Sequence, residues 1–202
     1  DDELFDRLSA WARDAGCPLA GGDIARVDGP TVLSLTILGR AHESRGPVLR
    51  STANIGDSIY LTGAVGGAVT SGQHLDPPRR TREARWLCDT LGDRLTSMID
   101  LSDGLGIDAG RVGIASGAVM SLDATRIPLN DDAGPLTDTL AEGEDYELLF
   151  TVRGELEENA CPATGTPITR IGAVAEGSPG SELTDETGAP RRIDSRGWDH
   201  GE

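Results

Sequence analysis

Apolar residues recur along the chain in two rhythms. Leu4, Phe5, Leu8, Trp11 and Ala12 fall at helical spacing behind acidic residues that suit a helix N-terminus, which predicts a helix over residues 2–15 ended by Gly16. A short strand from Cys17 to Ala20 then runs into Gly21-Gly22-Asp23. Thr31 to Ala41 alternates, with Leu33, Leu35 and Ile37 on one face, as a half-buried strand does. Residues 42–57 hold Gly46, Pro47, Asn54, Gly56 and Asp57, turn chemistry that marks a connection between two subdomains.

The same rhythms continue downstream. Ser58 to Thr62 reads as a strand, and Gly63 with Gly66-Gly67 leads into a short helix. After Pro77-Pro78 a helix is predicted at 79–93, then a strand from Ser97 to Leu101. Leu105, Ile107, Ala109, Val112 and Ile114 form a helical stripe closed by Gly117. A strand from Ala118 to Asp123, a short helix at 135–141 and strands at Tyr146 to Val152 and Ile168 to Val174 complete the pattern. Strands alternating with helices predict a layered α/β or α+β architecture.

Composition narrows the function. The 202 residues suit one large domain or two small ones, and the net charge of −16 leaves no basic surface for nucleic acid or an anionic membrane. All 18 basic residues are arginine, which excludes a Walker lysine, a Schiff-base lysine and a lysine general base. Cys17, Cys88 and Cys161 are too scattered for a disulfide framework or a metal site. No apolar run approaches the roughly 20 residues that span a bilayer, and the chain starts without a signal-like pattern, so a soluble cytoplasmic protein is expected.

Candidate chemistry centres on Met98-Ile99-Asp100-Leu101-Ser102-Asp103-Gly104-Leu105. In an extended strand Asp100 and Ser102 share a face, and Asp103 lies where the strand turns into the next helix. A helix N-terminus attracts phosphate but two carboxylates there repel it. Magnesium resolves the conflict, because it combines one or two carboxylates with substrate phosphates. The plainer alternative is that Ser102 or Asp103 caps the helix.

Gly21-Gly22-Asp23 is a second candidate phosphate and metal loop, or an ordinary turn. Gly143-Glu144-Asp145-Tyr146-Glu147 is a compact acidic loop at a strand entrance, or a solvated turn. Arg50 could fork a phosphate, and Trp198 could stack on a cationic heterocycle or simply pack the tail.

Six segments in this order resemble the thiamine-monophosphate kinases, of the aminoimidazole-ribonucleotide-synthetase-like (AIR-synthetase-like) superfamily. They are Gly21-Gly22-Asp23, Val48-Leu49-Arg50-Ser51 with Gly56-Asp57, Tyr60-Leu61-Thr62-Gly63, Ile99 to Leu105, Gly143 to Leu148, and Gly197-Trp198-Asp199-His200. The resemblance covers nearly the whole chain. It implies the AIR-synthetase-like fold: a remnant of the N-terminal domain over 1–41, a connection at 42–57 and a C-terminal α/β sandwich domain over 58–202, with roughly the first hundred residues of the family pattern lacking.

The resemblance also implies transfer of the ATP γ-phosphoryl group to thiamine monophosphate. Asp23, Asp100 and Asp103 would be Mg2+ ligands, Gly22, Asp23, Arg50 and Ser102 would touch ATP, and Glu144 and Trp198 would touch the thiamine substrate. No side chain is expected as base or nucleophile, because the acceptor phosphate is already ionised. A homodimer is implied for the full-length protein. The alternatives left open are a non-catalytic nucleotide-binding or assembly domain and another ATP-using member of the superfamily. The chain departs from the family pattern in three places. Ile24-Ala25 stand for two threonines, Glu142-Gly143 for two glycines, and Gly66-Gly67 for a glycine-aspartate.

Overall fold

Five consecutive buried residues, Ser58–Thr62, form β1, an internal strand whose two faces are both covered. A computed structural model of the chain describes residues 2–26, 28–157 and 159–198. They divide into two compact units, Asp1–Gly39 and Arg40–Glu202.

The first unit contains α1 (Asp2–Asp14), which ends as predicted: Gly16 has φ 64°, and the Cys17 N–H returns to the Ala12 carbonyl at 2.8 Å. The strands expected at Cys17 to Ala20 and Thr31 to Ala41 do not form, and Leu33, Leu35 and Ile37 are exposed. Alternation prepares a segment for a sheet, but the sheet exists only when a neighbouring strand takes up its N–H and C=O groups. Among the described residues none does so.

The second unit holds α2 (Ala68–Ser71), α3 (Thr81–Leu91), β2 (Leu95–Asp100), α4 (Leu105–Ser116), β3 (Val119–Asp123) and α5 (Leu136–Thr139). It continues with β4 (Leu148–Val152), β5 (Ile168–Ala175), β6 (Gly180–Thr184) and β7 (Pro190–Arg192). One seven-stranded sheet takes the order β2-β4-β1-β5-β3-β6-β7, with every neighbouring pair antiparallel except β3 and β6. The mixed α/β architecture is therefore as expected, while β6 and β7 escaped the sequence reading. Gly180-Ser181-Glu182 begins β6 with little β-propensity, and β7 contains a proline and two arginines.

Alternation along β1 and β4 divides the core. Ile59, Leu61 and Leu149 face Leu105, Ala109 and Val112 of α4, while Tyr60, Phe150 and Val152 face Leu87 and Leu91 of α3. Tyr60 and Phe150 stack with ring centroids 5.5 Å apart. Burying a side chain the size of Phe150 is worth about 1.5–3 kcal/mol, so these two layers fix the register that carries the loops. Segment 42–57 belongs to this unit: Ala53 enters the core, and the Arg45 guanidinium donates to the Leu95 carbonyl. Among the described residues no helix is long and apolar enough to cross a membrane.

Candidate active site

The register places the acidic motifs at one end of the sheet. Asp100 pairs with Leu148, and β1 and β2 both run antiparallel to β4, so the exits of β1 and β2 and the entrance of β4 lie together. The pairing then extends past the strands. The Leu101 N–H reaches the Glu147 carbonyl at 2.9 Å, Tyr146 N–H the Leu101 carbonyl at 2.8 Å, and Glu144 N–H the Ser102 carbonyl at 2.9 Å. The two motifs read separately from the sequence are thus one hydrogen-bonded structure.

Asp100 is exposed at the strand end, and Ser102 and Asp103 are half-buried. The N-cap of α4 falls on Gly104 rather than on either polar side chain. Gly104 has φ 117°, and a Cβ there would stand 2.9 Å from the Leu140 carbonyl oxygen, so this turn requires glycine. The loop is held from inside the helix by Asp108, whose Oδ2 accepts the N–H groups of Ser102 and Asp103 at 3.1 and 3.0 Å. Burial raises the Asp108 carboxyl above its ordinary range, against the opposing pull of the Asp103 N–H and Arg111. Arg111 bonds both Asp103 Oδ2 and Asp108 Oδ1.

Glu144 and Tyr146 have φ of 69° and 51°, the only positive values among described residues other than glycine. Each costs of order 1–3 kcal/mol, strain of the kind that clusters at ligand sites. The Tyr146 hydroxyl donates to Glu144 Oε2 at 3.0 Å, and burial first, then this bond, raises the tyrosine's pKa.

Two further carboxylates lie inside. Glu147 accepts from the Thr62 hydroxyl at 2.6 Å and is forked by Arg80, which also reaches Glu83 and Thr166. Asp145 is fully buried; its Oδ1 accepts the Gly66 N–H at 2.8 Å, and its Oδ2 has no hydrogen-bond partner among the described residues. Burial above all pushes its pKa up to about 7, with Glu142 and Glu147 adding to the rise and Gly66 opposing it. An open cleft of about 370 Å³ borders Glu147, Arg80, Gly63, Asn130 and Pro167, but neither Asp100 nor Asp103 lines it.

The tail closes on the same place. The Trp198 N–H donates to the Asp103 carbonyl at 2.9 Å, and the residue is 65% exposed. Gly106 makes room for the tail, since a Cβ there would lie 2.6 Å from the Ile193 carbonyl oxygen. Asp199 and His200, the end of that motif, lie outside the described residues.

Asp100, Ser102, Asp103, Glu144 and Trp198 are therefore brought together. Arg50 is not: its carbonyl accepts from Ser116, at the other end of α4, about 18 Å along the helix from the Asp103 turn. Gly22 and Asp23 lie in an exposed irregular stretch of the first unit, where a Cβ on Gly22 would meet nothing. Among the described residues no three His, Cys, Asp or Glu side chains are grouped as a metal site. The sequence reading missed Asp108, Arg111, Arg80 and Glu83. Asp108 and Arg111 carried a usable signal, a charged pair at i, i+3 inside an otherwise apolar helix.

No protein-family model matches the chain. Among curated proteins, it is 34% identical to thiamine-monophosphate kinase of Rhodopirellula baltica over 99% of its own length and 64% of the relative's. It is also 34% identical to the Salmonella typhimurium thiamine-monophosphate kinase, over 98% of its length and 67% of the relative's. The chain thus spans about two thirds of the curated relatives it matches. A solved structure of AaThiL complexed with AMPPCP and TMP is 25% identical with a TM-score of 0.55, covering 76% of this chain and 54% of that one. The HypE-HypF complex, at 15% identity and a TM-score of 0.64, shares the fold.

Proposed function

Since the chain belongs to the thiamine-monophosphate kinase family, we propose that the acidic end of its sheet serves ATP-dependent phosphorylation of thiamine monophosphate to thiamine diphosphate. The observation that supports this reading is the ladder joining Leu101 and Ser102 to the Glu144 loop, because it joins the segment proposed to face phosphate to the one proposed to face the substrate.

The donors around Ser102 are carboxylate and hydroxyl oxygens, which suit Mg2+, and two carboxylates suffice when substrate phosphates supply the remaining oxygens. Asp100 and Asp103 would hold it, and Mg2+ supplies neutralisation of the charge on the transferring group. Asp23 as a further ligand, and Gly22, Asp23 and Arg50 as ATP contacts, rest on the family resemblance. Ser102 contributes its hydroxyl beside Asp103. Arg111 bonds the Asp103 carboxylate and holds its orientation.

On the acceptor side, Glu144 offers a carboxylate and Trp198 an exposed ring to the thiamine cation, in a region whose charge suits a positive ligand. The acceptor phosphate is already ionised, so transfer needs no protein base, and catalysis consists of positioning and charge neutralisation. The reading places the protein in the cytoplasm, with a homodimer for the complete protein. An assay offering Mg-ATP with thiamine monophosphate and, separately, unrelated phosphate monoesters tests it. Turnover confined to thiamine monophosphate is expected; equal turnover of the other acceptors would overturn the substrate assignment.

A further inference from the structure

The turn after β1 presents two consecutive N–H groups to the acidic loop. Gly66 and Gly67 both adopt left-handed conformations, φ 87° and 75°, and their N–H groups point to Asp145 Oδ1 at 2.8 Å and Glu142 Oε2 at 2.9 Å. Neither glycine can be enlarged freely. A Cβ at Gly66 would lie 2.6 Å from Thr139 Cγ2, and one at Gly67 would lie 2.7 Å from the Asp132 backbone.

The two acceptors stand on either side of Glu144, whose own backbone is held at φ 69°. Gly67 and Glu142 are also two of the positions where the sequence departs from the family pattern, and the structure makes them the two ends of one hydrogen bond. Where the family pattern has an aspartate after β1 this chain has Gly67, and the Glu142 carboxylate of the facing loop accepts its N–H.

We propose that Glu142 and Asp145 are positioning residues for thiamine-monophosphate recognition: together they clamp the loop to the Gly66-Gly67 turn and hold Glu144 in its left-handed conformation. This rests on the reading of Glu144 as a substrate contact. The clamp is asymmetric. Asp145 is fully buried, so its tie is shielded from water, whereas half-buried Glu142 forms a tie open to solvent at its rim.

The test uses the full chain and four variants, Glu142→Ala, Asp145→Ala, Asp145→Asn and Glu144→Gln, read by amide hydrogen exchange and by thiamine-monophosphate affinity. Glu142→Ala and Asp145→Ala are expected to speed exchange at least ten-fold at 66–67 and 144–147, with the amides of β5 and β3 unchanged. They should weaken thiamine monophosphate by about ten-fold and Mg-ATP by less than two-fold. Asp145→Asn keeps an acceptor for the Gly66 N–H and should rescue both readouts.

Unchanged exchange in Glu142→Ala, which removes only the rim tie and leaves the core intact, overturns the clamp even if Asp145→Ala fails to fold. Faster exchange with unaltered affinity, in a protein whose Glu144→Gln variant has lost affinity, overturns the positioning role alone. Affinity indifferent to Glu144→Gln overturns the substrate reading of Glu144, and the positioning role with it.

Discussion

The main-chain N–H of Trp198 donates to the carbonyl of Asp103 at 2.9 Å, joining the C-terminal tail to the turn between β2 and α4. Gly106, where any side chain would strike Ile193, lets the tail lie against the first turn of α4. One backbone bond thus ties the residue proposed to face the thiamine ring to a residue proposed to face metal and phosphate. A backbone displacement at either residue would reach the other through this bond.

Asp103→Asn should therefore be read beside a folding measurement. The substitution weakens the Arg111 contact at a partly exposed site, where an ion pair is worth at most about 1 kcal/mol, so melting should shift by only a few degrees. Turnover should fall by orders of magnitude, because one charge of the pair proposed to hold Mg2+ is gone. Near-normal turnover would remove Asp103 from the mechanism.

Trp198→Ala tests the stacking surface. Loss of a cation–π contact worth about 0.5–2 kcal/mol should weaken thiamine-monophosphate binding several-fold and leave Mg-ATP almost unaffected. Calorimetry with each ligand separates the two. Equal losses would return the indole to a packing role.

Asp145 sets a pH dependence. Its pKa moves from 3.8 to about 7 on folding, so the native chain carries the extra proton between those values. Stability should decline as pH rises through that window, by up to ~1.4 kcal/mol per pH unit, and level off above it. Asp145→Asn should flatten the decline and melt higher than the parent at pH 8. A variant whose melting temperature follows the parent's pH profile would assign the decline to other groups.

Arg80 is the counterion for two buried carboxylates, Glu147 and Glu83, whose side chains are 3% and 2% exposed. Arg80→Met leaves both without a cation and should cost about 3–5 kcal/mol in urea unfolding. Adding Glu147→Gln to that variant should recover part of the loss. Additive losses would show that the pair is not coupled.

The sequence announced the second unit's elements wherever apolar periodicity and glycine punctuation agreed, as in α4 between Gly104 and Gly117. It did not announce β6 and β7, whose residues become strands through their neighbours, or keep the promise of the alternating stretch 31–41, which has no partner strand among the described residues. Each acidic motif was visible by itself. Their union was not, since it runs through backbone bonds such as Glu144 to Ser102 that carry no residue signature. Asp108 and Arg111 carried a signal, their i, i+3 spacing in an apolar helix, but a charged pair on a helix also reads as solvated surface until the fold buries one partner.

The most direct measurement is 31P NMR of the protein with Mg-ATP and thiamine monophosphate. The account predicts diphosphate resonances of thiamine diphosphate growing in step with ADP, with no excess of inorganic phosphate and no product when Mg2+ is chelated. ADP accompanied by inorganic phosphate, with thiamine monophosphate untouched, would contradict it.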